Sequence, residues 1–371
     1  MIFHTTSKRP IVIAGNGVRL AGAVDLLRLL YKKTRIPILT TLNSVDLISG
    51  DDRIGFIGTH GNRIANMIVA ESDLIITIGA RLGIRQVGNK REFFGPNAEL
   101  IRVDIDESEL SRNVKENETK YLMDAKNFLE MLLKEEIPSY NDWNERCFDA
   151  KKILENHDKQ IGNLCIEEIS KYIPPDSVVT VDVGQNQCWT AQSLVLKGSK
   201  GRILIGGGYG SMGCSIPYAI GACIANGCAP TFCICGDGGL QMNIQELQTI
   251  YSERLPIKML IVNNQTLGKI SETQRADYDR RMMLTTRDSG YTTPDFEKIS
   301  IAYGIKSKTL KSYNELYTVK AWLEDEEPCL INIMLPDDTL LLPKMNWNEK
   351  EMKPLLSENL RLEVKKILLD E

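Results

Sequence analysis

Histidine is scarce in this chain, with only His4, His60 and His157 among 371 residues. The nine cysteines follow no zinc-type spacing, so both common soft metal ligands are missing from any recognisable cluster. No stretch approaches the roughly 18 apolar residues of a membrane-spanning helix. The start, Met1-Ile2-Phe3-His4, lacks the basic residues and long apolar core of a secretion signal. Charge of one sign is lacking too: the net charge of −4 gives no electrostatic argument for nucleic acid or an anionic membrane as partner. The run from Arg275 to Arg287 mixes both signs and reads as a solvated loop. Neither a short-period repeat nor a low-complexity tract is visible. Cys223, Cys228, Cys233 and Cys235 sit within apolar segments, which reads as reduced thiols of a cytoplasmic protein.

The chain does have enough length for two domains with separate cores. Its first half alternates strand and helix. "PIVIAG" is a short apolar strand ending in Gly15-Asn16-Gly17, and apolar residues spaced three and four apart predict a helix from Leu20 to Leu30. "IPILTTL", "RIGFIG", "LIITIG" and "LIRVDID" read as further strands, with helices over His60 to Ala70 and Lys126 to Leu133. Continuous apolar runs suit parallel strands covered on both faces. Residues 135–158 are polar and read as a linker that is partly helical, after which the alternation restarts with "SVVTVDVG", "RILIGG", "TFCIC", "IKMLIVNN" and "CLINIML". Helices are expected between them, including Gln185 to Leu196, Met212 to Ala225, Leu240 to Tyr251 and Tyr313 to Glu324. The pattern predicts an α/β protein of two doubly wound parallel-sheet domains, over 1–134 and 159–345, with a tail at 346–371.

Two of these strands end in groups suited to gripping a ligand. "TFCIC" runs into Gly236-Asp237-Gly238, and "IKMLIVNN" ends at Asn263-Asn264. A right-handed crossover between parallel strands leaves both carboxyl ends on one edge, where α/β sheets bind ligands. Asp237 supplies a hard anionic oxygen and Asn264 a neutral one, a donor set that suits Mg²⁺ with phosphates and water in the remaining places. Gly236 and Gly238 remove side chains where phosphate would approach the backbone, and the helix after Gly239 offers N–H groups to an anion. The same residues also make ordinary tight turns, since glycine and paired asparagine are common turn formers.

The GDG turn followed some two dozen residues later by NN resembles the thiamine diphosphate motif. "VDVGQNQCWTAQ" (Val181 to Gln192), "GGGYGSMGCSIPYAIGA" (Gly206 to Ala222), "HGNRIANMIVAESDLIITIGARLGIRQVG" (His60 to Gly88) and "VDIDESEL" resemble segments of the acetolactate synthase branch of that superfamily. The likeness runs from about Pro10 to Pro336. It implies a middle domain followed by a diphosphate-binding domain. It implies Mg²⁺ on Asp237, Asn264 and the Thr266 carbonyl. It puts thiamine diphosphate against Gly236, Gly238, Gly239, Leu267 and Gly268, with Val183, Gly184, Gln185 and Asn186 beside the same diphosphate arm. Met212 would be the apolar wedge that bends the cofactor, and Gly210 would pair with its aminopyrimidine. The bend brings an amine beside the reactive carbon and makes proton removal intramolecular. The implied activity is decarboxylation of a 2-keto acid, with transfer of the two-carbon unit to an acceptor carbonyl.

The family's third domain binds the pyrimidine and carries an activating glutamate. No residue here matches that glutamate, so no catalytic residue is assigned. A separate pyrimidine-domain subunit or a further N-terminal segment is expected to supply it, and an oligomer is expected. Lys269 and Thr273 stand where the acetolactate synthases have Met and Trp, and Asn186 where they have His; these changes point away from a standard branched-chain amino-acid enzyme. The middle-domain likeness also raises FAD, through Gly15, Gly17, Thr41, Leu42, His60, Gly79, Ala80, Arg81, Arg85, Asp104 and Ile105. Two other readings stand beside this one: a non-catalytic nucleotide-binding or regulatory subunit that keeps the fold, and a Rossmann dehydrogenase built on "IAGNGVRLAG". The second lacks the third glycine of its fingerprint.

Overall fold

The computed structural model describes residues 6–370; His4 and the stretch read for a targeting signal lie outside them. The chain divides into two compact units, one running up to Lys159 and resuming at Leu342, the other Gln160–Leu341.

The first unit holds β1 (Pro10–Ala14), β2 (Ile38–Thr40), β3 (Leu74–Ile78), β4 (Glu99–Asp104) and β5 (Glu118–Leu122). They form one parallel sheet in the order β2-β1-β3-β4-β5. Every residue of β1 and β3 is buried, which is why they read as unbroken apolar runs. Helix Val24–Thr34 buries Leu27, Leu30, Tyr31 and Thr34, one stripe at helical spacing. The helix expected from Leu20 is broken into Gly17–Leu20 and Val24–Thr34 because Gly22 turns the chain at φ +64°. "RIGFIG" forms only a single bridge, Phe56 to Thr40. β5 was not expected: its residues are only partly buried or exposed, so a sheet-edge strand leaves little apolar signal.

The partly helical linker expected over 135–158 is helix over most of its length, Asn141–Asp158, and packs into the first unit. Apart from Asn144, which is buried and donates to Tyr31 Oη at 3.3 Å, its polar residues mark one face. Trp143, Cys147, Ala150 and Leu154 are buried on the other, and Trp143 Nε1 donates to Pro10 O at 3.0 Å. The expected tail is corrected as well. Helix Glu358–Leu369 buries Val364 and Leu368 in the first unit's core. Arg63, itself buried, donates to Met352 O and Pro354 O at 2.8 Å and pairs with Asp158 at 3.0 Å. Those contacts lie far apart in the chain, so no local pattern announces them.

The second unit holds β6 (Val178–Val181), β7 (Arg202–Ile205), β8 (Thr231–Gly236), β9 (Ile257–Asn263), β10 (Lys306–Leu310) and β11 (Cys329–Met334). This sheet is also parallel throughout, in the order β10-β11-β9-β8-β6-β7. The helix expected from Leu240 to Tyr251 is two helices, Asp237–Met242 and Glu246–Ser252; at the break Asn243 Nδ2 donates to Gly213 O at 2.8 Å. The segment from Tyr313 is 3-10 helix to Val319, and only Lys320–Glu324 is α-helical. From β6 the chain moves to β7 on one side, and from β8 it moves to β9 on the other. The carboxyl ends of β6 and β8 therefore flank a topological switch point, where doubly wound sheets open a crevice. Among the described residues no helix is long and apolar enough to cross a membrane.

Candidate functional site at the end of the second sheet

Gly236, last residue of β8, is in register with Val262 of the neighbouring β9, so Asp237 and the Asn263-Asn264 pair leave the same edge of the sheet. Strand alternation then sorts the paired asparagines. Asn263 Nδ2 donates to Asn332 Oδ1 at 3.0 Å on β11, and its oxygen accepts from Gln265 N at 3.0 Å. Asn264 turns the other way, and its Nδ2 donates to Gln185 Oε1 at 2.9 Å. With the Asn264 amide N–H engaged by Gln185, its carbonyl oxygen is the group available to a cation. Thr266 Oγ1 donates to Asn264 O at 3.2 Å and Asp337 O at 3.1 Å, which fixes the turn that follows.

Asp237 is 3% exposed. Burial pushes its carboxyl up to about 7, and hydrogen bonds from Tyr291 and from the backbone N–H groups of Asp237 and Gly238 oppose that only in part. Tyr291 donates its hydroxyl to Oδ2 at 3.0 Å. Burial first, then the neighbouring carboxyl, push the Tyr291 phenol upward in turn. Among the described residues no lysine, arginine or histidine acts on the Asp237 carboxyl. A buried carboxyl without a counter-charge is costly to ionise, and a divalent cation is the group that would make it favourable. Among the described residues no three His, Cys, Asp or Glu side chains gather as a metal cluster, so such a cation would rest on one carboxylate plus neutral oxygens.

Around this pair glycines let neighbouring segments approach closely. A Cβ on Gly238 would stand 2.6 Å from Leu267 Cδ2 and 3.2 Å from both Met212 Cε and Tyr291 Oη. Three distant segments thus meet over this one glycine. A Cβ on Gly268 would stand 1.9 Å from Gln185 Oε1. A Cβ would stand 3.3 Å from Asn186 Oδ1 on Gly236, 2.6 Å from it on Gly184, and 3.6 Å from Val183 Cγ2 on Gly210. Close approaches thus link Gly238 to Met212 and Leu267, Gly268 and Asn264 to Gln185, Gly236 and Gly184 to Asn186, Gly210 to Val183, and Thr266 to Asn264. Lys269 is half-buried on the first turn of helix Gly268–Asp277, and Thr273 is exposed one turn later.

Sequence reasoning missed three residues that hold the crevice. Asp182, fully buried at the end of β6, accepts from Gly213 N at 3.0 Å and from Ser215 N and Oγ at 3.0 and 2.8 Å. It thereby ties the loop carrying Gly210 and Met212 to the sheet. An acidic residue directly after an apolar strand was a usable signal. Glu272 Oε1 accepts from Gln185 Nε2 at 2.6 Å and from Leu341 N at 2.8 Å, and Gln185 Nε2 also reaches Thr339 O at 3.1 Å. Tyr291 lies 54 residues from Asp237 behind an irregular loop, and nothing local marks it.

In the first unit the glycines expected to meet FAD have another use. A Cβ on Gly15 would stand 2.0 Å from Gly79 O, and one on Gly17 2.6 Å from Gly79 Cα. Gly15 N and Gly17 N donate to Ile78 O and Gly79 O at 2.9 and 3.1 Å. Close backbone crossing accounts for these glycines, so they supply no argument for a flavin.

Two family models match the chain: "Thiamine pyrophosphate enzyme, central domain" over residues 5–132 and "Thiamine pyrophosphate enzyme, C-terminal TPP binding domain" over residues 182–333. The chain is 33% identical to an acetolactate synthase large subunit of Lactococcus lactis over 91% of this chain and 60% of the relative. It is 34% identical to a probable acetolactate synthase large subunit of Methanocaldococcus jannaschii, over 89% of this chain and 58% of that one. The isozyme 2 large subunit of Escherichia coli is 31% identical, over 89% of this chain and 60% of its own. The chain thus spans about three fifths of the length of these relatives. With a central domain and a TPP-binding domain in succession, the protein belongs to the thiamine pyrophosphate enzyme family, on its acetolactate-synthase-like branch.

Proposed function

We propose that this chain is the cofactor-holding component of a thiamine-diphosphate- and Mg²⁺-dependent decarboxylase or carboligase acting on a 2-keto acid. One observation carries the reading: a buried carboxyl without a counter-charge, Asp237, at the sheet's switch point, on the same strand edge as Asn264 and next to Gly238, over which Met212, Leu267 and Tyr291 meet. The residues suit the group. Asp237, Asn264 and the Thr266 carbonyl would hold the cation, and the backbone at Gly236, Gly238 and Gly239 would meet the diphosphate. Val183, Gly184, Gln185, Asn186, Leu267 and Gly268 would close around that arm, with Gly210 and Met212 toward the rest of the cofactor. When bound, thiamine diphosphate supplies the nucleophilic carbon and the electron sink for losing CO₂ from the keto acid.

The protein's share is positioning and electrostatics. Glu272 orients Gln185, and Gln185 orients Asn264. Asp182 holds the Gly210–Met212 loop at the mouth of the crevice. Activation of the cofactor is assigned to a pyrimidine-binding domain, from another chain or from a further segment. Helix Ser215–Ala225 supports a docking face for such a partner, since it exposes Tyr218 and Ile224 besides burying Ile216, Ala219 and Cys223. The free thiols, mostly buried, support a reducing compartment and hence the cytoplasm.

Calorimetric titration with thiamine diphosphate tests the proposal. Heat of binding is expected with Mg²⁺ present, little without it, and none for Asp237→Asn in either condition. Equal binding by all these samples would remove the basis of the reading. Release of CO₂ from pyruvate on adding a pyrimidine-domain partner tests the catalytic half.

A further inference from the structure

Tyr291 belongs to no motif, yet its hydroxyl reaches the carboxyl on which the cation site depends. It donates to Asp237 Oδ2 at 3.0 Å, and the hydroxyl oxygen lies 3.2 Å from where Gly238 would carry a Cβ. The loop behind it is fastened at several points. Tyr291 N donates to Thr286 O at 3.0 Å, and Ser289 Oγ accepts from Thr285 N at 3.0 Å and Thr286 N at 2.9 Å. Leu267 N donates to Thr285 O at 2.9 Å, and Thr285 Oγ1 donates to Gln274 Oε1 at 2.6 Å. The loop is thus tied to the crevice at Leu267 and at Asp237.

We infer that Tyr291 is a positioning residue for the cation site: its O–H, donated to Oδ2, fixes the Asp237 carboxyl so that Oδ1 is the oxygen offered to a divalent cation. A phenol has one proton to donate, and here it is spent on one oxygen of the pair. Partners that orient a metal ligand typically contribute about 10- to 100-fold to metal affinity. The inference rests on the thiamine diphosphate and Mg²⁺ reading of this crevice.

The test uses Mn²⁺ as a spectroscopic probe for Mg²⁺, with the full chain and saturating thiamine diphosphate. Tyr291→Phe removes one oxygen and keeps the ring packing. It is expected to weaken Mn²⁺ binding by about 10- to 100-fold and to change the electron paramagnetic resonance spectrum of the bound ion. Its melting temperature and far-ultraviolet circular dichroism should stay near wild type. If Asp237→Asn loses Mn²⁺ while Tyr291→Phe keeps wild-type affinity and spectrum, the role of Tyr291 is refuted and the site stands. If Asp237→Asn binds Mn²⁺ as wild type does, the site itself is refuted. Should Tyr291→Phe not fold, Mg²⁺ added to wild-type protein with thiamine diphosphate must perturb the tyrosine difference spectrum, and no perturbation refutes the inference.

Discussion

Asp237→Asn should make the protein without cofactor more stable while removing its ability to gain stability from cofactor. The Asp237 carboxyl is raised from 3.8 to about 7, chiefly by burial, and is 3% exposed, so solvent screening takes little from the effect. Raising a carboxyl's pKa by one on folding costs about 1.4 kcal/mol once the group is ionised, so this rise corresponds to about 4 kcal/mol. A carboxyl raised on folding gives its full contribution below the unfolded range near pH 4 and loses it as pH rises through about 7. Wild type should therefore weaken between about pH 4 and about pH 8 by up to about 4 kcal/mol through this group. Asparagine keeps an oxygen for the Tyr291 hydroxyl and does not titrate. At about pH 8 the variant should melt about 8–15 °C above wild type, at about 2–4 °C per kcal/mol for a unit of this size. Adding Mg²⁺ and thiamine diphosphate should raise the wild-type melting temperature and leave the variant unmoved. Differential scanning calorimetry across that pH range, with and without ligand, reads all of this. A variant no more stable than wild type at the alkaline end, with an unchanged pH profile, would refute the picture of a buried uncompensated carboxyl.

Gly238→Ala should fold, because the new Cβ meets flexible side chains, with Leu267 Cδ2 at 2.6 Å and Met212 Cε at 3.2 Å. Their displacement into the crevice should lower thiamine diphosphate affinity at least about tenfold by calorimetry, at about 1–2 kcal/mol of stability. Glu272→Ala strips the acceptor from Gln185 Nε2 and Leu341 N, and should cost about 2–4 kcal/mol in urea unfolding; a loss under about 1 kcal/mol would contradict that network. Gly15→Ala sets a Cβ 2.0 Å from the Gly79 carbonyl oxygen, and rigid backbone cannot yield cheaply, so a loss of about 3 kcal/mol or more is expected. A water-soluble disulfide reagent should label Cys228 quickly and half-buried Cys214 slowly, with the other seven thiols reacting only on unfolding.

What was legible in the sequence follows from how local each cause is. Strands covered on both faces must be apolar throughout, so β1, β3, β8 and β9 stand out from the chain as runs. Asp237 and Asn264 are legible because a turn chemistry is written directly after each run, and parallel crossover brings such ends together. The edge strands β5 and β10 left no run, since water takes the place of apolar neighbours along much of their length. Helix Asn141–Asp158 reads as a linker from its polar mean composition; only the spacing of Trp143, Cys147, Ala150 and Leu154 carries its packing.

The amino-acid sequence alone determined the two parallel sheets, the family and the residues that gather at one strand edge, because these rest on hydrophobic period and on short motifs. Tertiary structure alone decided that the carboxyl-terminal helix returns to the first unit, that Glu272 steadies Gln185, and that Tyr291 meets Asp237. Those contacts depend on shape and burial across long separations. A single hydrogen bond between residues 54 positions apart has no period and no motif, and only the folded chain makes it.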